Sequence, residues 1–349
     1  MSETLIGLVG QYSPSGQEGG AARWLVERMR SLGFDGAFID EAGNAVGTIG
    51  NGPRQIVLLG HIDTVPGEIP VRVEDGVLYG RGAVDAKGAL SVFTDAAIRC
   101  GAGEGWQLVV IGAVDEERDS SGAWFAAEQY RPEYAVIGEP NRWDRVALGY
   151  KGSAWAEVTV RRGQAHTAGA EQTACEVAVE IWQAIRVFAE EYNADKARVF
   201  DQVQLSLQGF ESGQSEFDQW ATIKVGVRLP EALSPAEWYA RLEELAGGAQ
   251  VERRGKPISA WTCDKNTRLV RALLAGIRAE GGEPAFVYKT GTADLNIVAP
   301  IWGCPALVYG PGDSALDHTP HERLELEEYE RSVRVLASAL GKLMGFEPK

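Results

Sequence analysis

Three short apolar runs in this chain each stop on residues that can hold a proton or a metal ion. Residues 56–59 (IVLL) run into Gly60-His61-Ile62-Asp63, residues 107–113 (QLVVIGA) into Val114-Asp115-Glu116-Glu117, and residues 134–137 (YAVI) into Gly138-Glu139-Pro140. Apolar runs of this length read as strands buried on both faces, and open α/β sheets gather their ligands outside the carboxyl ends of such strands. A single histidine is usually a structural residue, and a single aspartate beside glycine a turn former. The same residue types at three strand exits point to one site. In an extended segment, side chains at i and i+2 share a side and successive ones do not. His61 and Asp63 are therefore expected to face one way, and Glu116 and Glu117 to do different jobs. Imidazole and carboxylates together are donors for a metal such as zinc.

Two further stretches can reach that edge. The turn Gly80-Arg81-Gly82-Ala83-Val84-Asp85-Ala86-Lys87-Gly88 delivers one carboxylate, Asp85, and opens a helix over residues 89–98. Far along the chain, Leu316-Asp317-His318-Thr319-Pro320-His321-Glu322 precedes the last helix and makes His318 a candidate fifth ligand.

The order of elements predicts an α/β chain interrupted by an insertion. A helix over residues 15–32 ends at Gly33. Strands over 34–40 and 45–49, a hairpin over 71–79 and a helix over 123–130 accompany the buried strands. Near Gly149 the pattern changes to half-exposed alternation in strands over 153–162, 202–208 and 221–229. Helices over 173–192 and 235–245 and a strand over 250–254 complete a βαββαβ order. The first style then returns, with a helix over 266–280, strands over 285–288 and 305–309, a loop Thr290-Gly291-Thr292-Ala293-Asp294 and a closing helix over 326–343. The fold class expected is α/β, with a catalytic domain from residues 1–150 and 260–349 around a mixed sheet flanked by helices. Residues 151–259 form an inserted α+β, ferredoxin-like domain.

Composition narrows the function. The 349 residues carry a formal net charge of −15, the reverse of the basic footprint that nucleic acid demands. Part of the acidic excess, including Glu322, Glu325, Glu327, Glu328 and Glu330, reads as solvated surface. No apolar run approaches the roughly 20 residues needed to cross a bilayer. The amino terminus lacks the basic region of a signal peptide, so a cytoplasmic location is expected. The four cysteines, Cys100, Cys175, Cys263 and Cys304, are scattered without CxxC spacing, so any zinc must use histidine and carboxylate.

Taken together, GHIDTVP, GRGAVDAKG, the DEE and GEP strand exits and DHTPHE resemble the dinuclear-zinc amidohydrolases. That family includes acetylornithine deacetylase, succinyl-diaminopimelate desuccinylase, aminoacylases and carboxypeptidases. The resemblance implies a zinc-peptidase-like catalytic domain with two zinc ions, for which cobalt can substitute. It implies His61, Asp85, Glu117, Glu139 and His318 as ligands, with Asp85 bridging. Asp63 would hold His61, and Glu116 would be the general base. It further implies a lid and dimerisation role for the insertion, through which a homodimer would form. His166 would serve the partner copy's site, Arg228 would contact substrate carboxylate, and Gly291 and Thr292 would line the substrate pocket. Two departures stand out: Ala86 replaces the family's usual methionine, and no clear lid asparagine precedes Arg228.

Within the family, the chain looks most like the hydrolases that release lysine or ornithine from a small acidic amino-group carrier protein. Arg142, Arg145, Arg161 and Arg162 would then be candidates for a basic docking patch. A deacylase of small N-acyl amino acids is the alternative within the class. A non-catalytic metal-binding protein on the same scaffold is the alternative outside it, and the presence of all five ligands and the base argues against that.

Overall fold

The computed structural model describes residues 2–164, 166 and 169–346. The chain divides into two compact units. The first comprises Met1–Gly149, Cys263–Tyr288 and Ala293–Lys349 and the second Tyr150–Thr262 with Lys289–Thr292.

The first unit is built on a mixed sheet. Its strands follow the order Gly36–Ile39, Ala45–Ile49, Trp106–Ala113, Arg54–His61, Tyr134–Gly138, Ala306–Val308 and Arg145–Tyr150. Arg54–His61 lies at the centre, parallel to both Trp106–Ala113 and Tyr134–Gly138. Ile56 to Leu59 and Leu108 to Ile111 have no exposed surface, which is why their sequences are unbroken apolar runs rather than alternating ones. In register, His61 pairs with Ala113 and Gly60 with Gly138. The three apolar runs therefore end at one level, and the acids that follow them emerge side by side.

Helix Lys87–Cys100 packs on this sheet and is buried along most of its length. Its start needs glycine: a Cβ on Gly88 would stand 2.4 Å from the Ala83 carbonyl oxygen, and Gly82 has φ +85°. The long helix Leu326–Met344 packs against it, with Val333, Leu336, Leu340 and Leu343 buried. A small three-stranded sheet joins Arg72–Glu74, Val77–Tyr79 and Arg323–Glu325.

The second unit holds a four-stranded antiparallel sheet ordered Gln204–Gln214, Asp218–Leu229, Gly152–Gly163, Gln250–Ile258. With helices Ala174–Asn193 and Pro235–Leu245 it has the βαββαβ order expected from sequence. Val158, Ile185, Ile223, Val225, Trp238 and Leu242 form its own core. Both helices start with a reciprocal capping box, Thr173 with Glu176 and Ser234 with Glu237, which satisfies N–H groups that a helix start leaves unpaired.

Several elements go beyond the sequence reading: helices Glu3–Val9 and Leu295–Trp302, and strands Arg145–Tyr150 and Arg323–Glu325. No described helix is long and apolar enough to cross a membrane.

Candidate metal centre

Two of the strand exits converge with the Asp85 turn. His61, Asp85 and Glu117 each offer a donor atom within 4.8 Å of the others. Asp85 is the centre of the arrangement. One of its oxygens, Oδ1, lies 3.1 Å from His61 Nε2, and the other, Oδ2, lies 3.1 Å from His318 Nε2. The same His318 nitrogen is 3.1 Å from Glu117 Oε1. His61 is buried, whereas half of the His318 side chain is open to solvent, and its backbone is left-handed at φ +60°.

Asp63 organises the chain around these groups. The His61 Nδ1 atom sits 3.0 Å from the Asp63 carbonyl oxygen and 3.5 Å from its carboxylate. That carboxylate accepts the N–H groups of Glu116 and Glu117, each at 3.1 Å, and the Ser15 hydroxyl at 2.7 Å. Ser15 was not foreseen as part of this network; it is the first residue of the stretch read as the first long helix, which in the structure starts at Gly19. Glu116 and Glu117 do not continue the strand, which ends at Ala113. Asp115 is left-handed at φ +70°, and the two glutamates lie in the turn after it. Their different directions come from a turn held by Asp63, not from the alternation of extended chain.

The electrostatics follow from crowding buried carboxylates. Burial, reinforced by neighbouring Glu139, Asp294 and Glu117, pushes the Glu116 carboxyl well above its ordinary range against the opposing pull of His61. Burial with Asp85, Asp294 and Asp317 nearby does the same to Glu139. Hydrogen bonds to Asp85 and Glu117 raise His318 to about 10. Burial works against a charged His61, yet its bonds to Asp63 and Asp85 carry it well above the usual imidazole range. The cluster therefore crowds more carboxyl groups together than its two imidazoles can neutralise, and a bound dication would favour their ionised forms.

One expectation from sequence is overturned. Glu322 and Glu328 do not belong to a solvated acidic surface. The Glu322 side chain has no exposed surface and pairs with Arg81 at 2.9 Å. Glu328 is largely covered and accepts the N–H groups of Trp143 and Gly312, each at 3.0 Å. Both lie in a stretch of closely spaced acids, and spacing alone does not reveal which of them turn inward.

The remaining substrate-site candidates, His166, Arg228, Gly291 and Thr292, lie in the second unit. His166 is exposed. Arg228, on strand Asp218–Leu229, donates from Nη1 to the Thr292 hydroxyl, and Gly291 adjoins Thr292 in the same unit. Of the proposed docking arginines, Arg142 pairs with Asp313 and Arg145 with Asp144, whereas Arg161 and Arg162 are exposed.

Comparison with known proteins gives the class. Residues 57–342 match the model of Peptidase family M20/M25/M40, and the chain belongs to that family. A [LysW]-lysine hydrolase of Deinococcus radiodurans is 47% identical over 342 residues, which cover 95% of this chain and 94% of that one. A [LysW]-lysine/[LysW]-ornithine hydrolase of Saccharolobus islandicus is 26% identical, covering 98% and 95%. Among solved structures, an M20 family metallo-carboxypeptidase from Sulfolobus solfataricus has the same fold, with a TM-score of 0.77, 17% identity and 97% of each chain covered. A dinuclear metal binding peptidase of the M20 family from Bacillus subtilis aligns with a TM-score of 0.70 at 13% identity, over 98% of this chain and 97% of that one.

Proposed function

We propose that this chain is a metal-dependent amidohydrolase that releases lysine, ornithine or both from a small acidic amino-group carrier protein. The observation that carries the metal part is the double engagement of Asp85, whose two oxygens each face a different imidazole at 3.1 Å. A pair of ions needs a shared anionic ligand, and Asp85 is placed to be one. The substrate part rests on 47% identity to the Deinococcus hydrolase over nearly the whole chain.

The donor chemistry fits two zinc ions, with cobalt as a substitute: imidazole nitrogen and carboxylate oxygen, gathered on a rigid sheet edge. His61 and Glu139 would hold one ion, His318 and Glu117 the other, with Asp85 common to both. When bound, the ions supply Lewis acidity to the amide carbonyl and to water. Glu116, kept protonatable by burial beside other carboxylates, takes the proton of the attacking water and hands it to the leaving α-amine of lysine. Asp63 fixes the His61 ring and the Glu116–Glu117 turn through the contacts described above. Arg228 and Thr292 would bind the substrate carboxylate, with Gly291 in the same loop.

The second unit would serve as lid and dimerisation domain, His166 donating a hydrogen bond to the partner copy's site. Its edge strand Gln204–Gln214 exposes Leu207 and Phe210, which supports pairing with a second copy. A cytoplasmic location goes with this biosynthetic role.

Zinc- or cobalt-loaded protein, assayed for free lysine against lysine-loaded carrier, acetylornithine and N-succinyl-diaminopimelate, tests the reading. Lysine release from the carrier is expected. Rapid turnover of a small acylated substrate with none of the carrier would reject it in favour of a small-molecule deacylase.

A further inference from the structure

Glu322 is a buried carboxylate in a segment that also carries a candidate ligand. One oxygen, Oε1, accepts the N–H of Val84 at 2.9 Å and that of Asp85 at 3.0 Å. The other, Oε2, pairs with Arg81 Nη1 at 2.9 Å. The Arg81 guanidinium also donates to the Gly67 carbonyl at 2.9 Å and to the Thr319 carbonyl at 3.2 Å. Only 8% of the Arg81 side chain is exposed and none of Glu322. The backbone following Glu322 is anchored in turn, because Arg323 pairs with Tyr79 and Leu324 with Leu78 in the small sheet.

These bonds join the two loops that carry Asp85 and His318. The turn Arg81–Ala86 has no regular strand or helix to hold it, yet Asp85 must present its two oxygens in two directions. Glu322 grips the N–H of Asp85 itself, and Arg81 grips the residue next to His318. A carboxylate facing two N–H groups and a guanidinium makes charge-assisted bonds, stronger than neutral ones, and burial shields them from competing water.

We infer that Glu322, with Arg81, is a positioning residue of the metal site: it holds the Asp85 turn and the His318 loop at the spacing that lets Asp85 serve both ions. The inference rests on the metal reading above. It places a residue that touches neither ion nor substrate in control of how well the bridge forms.

The test is metal titration of the full chain, stripped and refilled with Co2+ against a chromogenic chelator, together with the Co2+ absorption spectrum and the separation of kcat from KM. Glu322→Ala removes the acceptor for both N–H groups. It is expected to weaken cobalt binding roughly 10- to 100-fold, to change the cobalt spectrum and to lower kcat with KM little altered. Glu322→Gln keeps one oxygen for Val84 and Asp85 and should recover part of the affinity. Arg81→Met leaves those two bonds but cuts the tie to Thr319, and should give a smaller loss than Glu322→Ala. If Glu322→Ala fails to fold, Glu322→Gln and Arg81→Met carry the comparison in the folded state. Variants that bind two cobalt ions with wild-type affinity and spectrum, whatever their melting temperature, overturn the inference alone. A wild-type chain that takes up no cobalt overturns the metal reading and this inference with it.

Discussion

The His318 imidazole stands 3.1 Å from the Glu117 carboxylate although 201 residues separate them in the chain. One partner leaves the end of a central strand, and the other lies in a loop that follows the insertion. An ion held between them would need the finished first unit.

Removing divalent ions should therefore destabilise that unit. Ligand binding to the folded state alone adds about 2.7 kcal/mol at a free ion concentration of 100 Kd. Melting curves with and without chelator should show a lower Tm in chelator and recovery on adding zinc. An unchanged Tm would contradict ion binding at this cluster.

Glu116→Gln removes the proton acceptor while keeping the side-chain shape. Hydrolysis should fall by about 10²- to 10⁴-fold, with metal content by elemental analysis unchanged. Loss of metal along with activity would make Glu116 a ligand instead.

Asp63→Asn keeps one acceptor oxygen but sets an amide N–H₂ against donors that now share the carboxylate, the N–H groups of Glu116 and Glu117 and the Ser15 hydroxyl. Metal affinity should drop about 10- to 100-fold, measured by chelator competition. Ser15→Ala, which leaves both N–H bonds in place, should cost less.

Gly88→Ala tests the closeness of the turn to the helix start, since the new Cβ would meet the Ala83 carbonyl oxygen at 2.4 Å. Overpacking of this kind costs about 1–3 kcal/mol, readable as a lower urea midpoint. A midpoint equal to wild type would mean that the turn gives way freely.

Asp95 gives a pH-dependent expectation away from the metal centre. Burial raises its carboxyl above the ordinary range, although the Thr4 and Tyr329 hydroxyls donate to it. A carboxyl with a raised folded-state pKa binds its proton more tightly when folded. Its contribution is complete below the unfolded pKa and is lost as pH rises through the folded value. Asp95→Asn escapes that loss, so its urea midpoint relative to wild type should improve from pH 4 to pH 8. A constant difference across that range would remove Asp95 as the cause.

Much of this was legible in the sequence because the physics is local. A strand buried on both faces must be apolar throughout, so its end is visible, and His61, Glu117 and Glu139 stand at or just beyond such ends. The βαββαβ order of the second unit was equally plain, because half-exposed strands alternate and its helices carry clear stripes. What escaped reading depends on distant partners. Arg323–Glu325 is a strand only because Val77–Tyr79 pairs with it. Leu295–Trp302 carries Pro300 inside the helix, which masks the helical pattern. Arg145–Tyr150 carries Gly149 near its end, where the sequence pattern changes, which hides it as a strand. Glu322 is polar in a polar stretch, and only Arg81 and the turn it grips, some 240 positions earlier, account for its burial.

The discontinuity of the first unit has a biosynthetic consequence. Tyr134–Gly138 waits for Ala306–Val308 as its parallel neighbour, and the segment between them contains the whole of the second unit. A nascent chain thus emerges with the insertion ready to fold while the larger sheet still lacks a strand and its closing helix. A chain ending after residue 292 would hold every residue of the second unit, while Tyr134–Gly138 would still lack Ala306–Val308 along one edge and the first unit its closing helix.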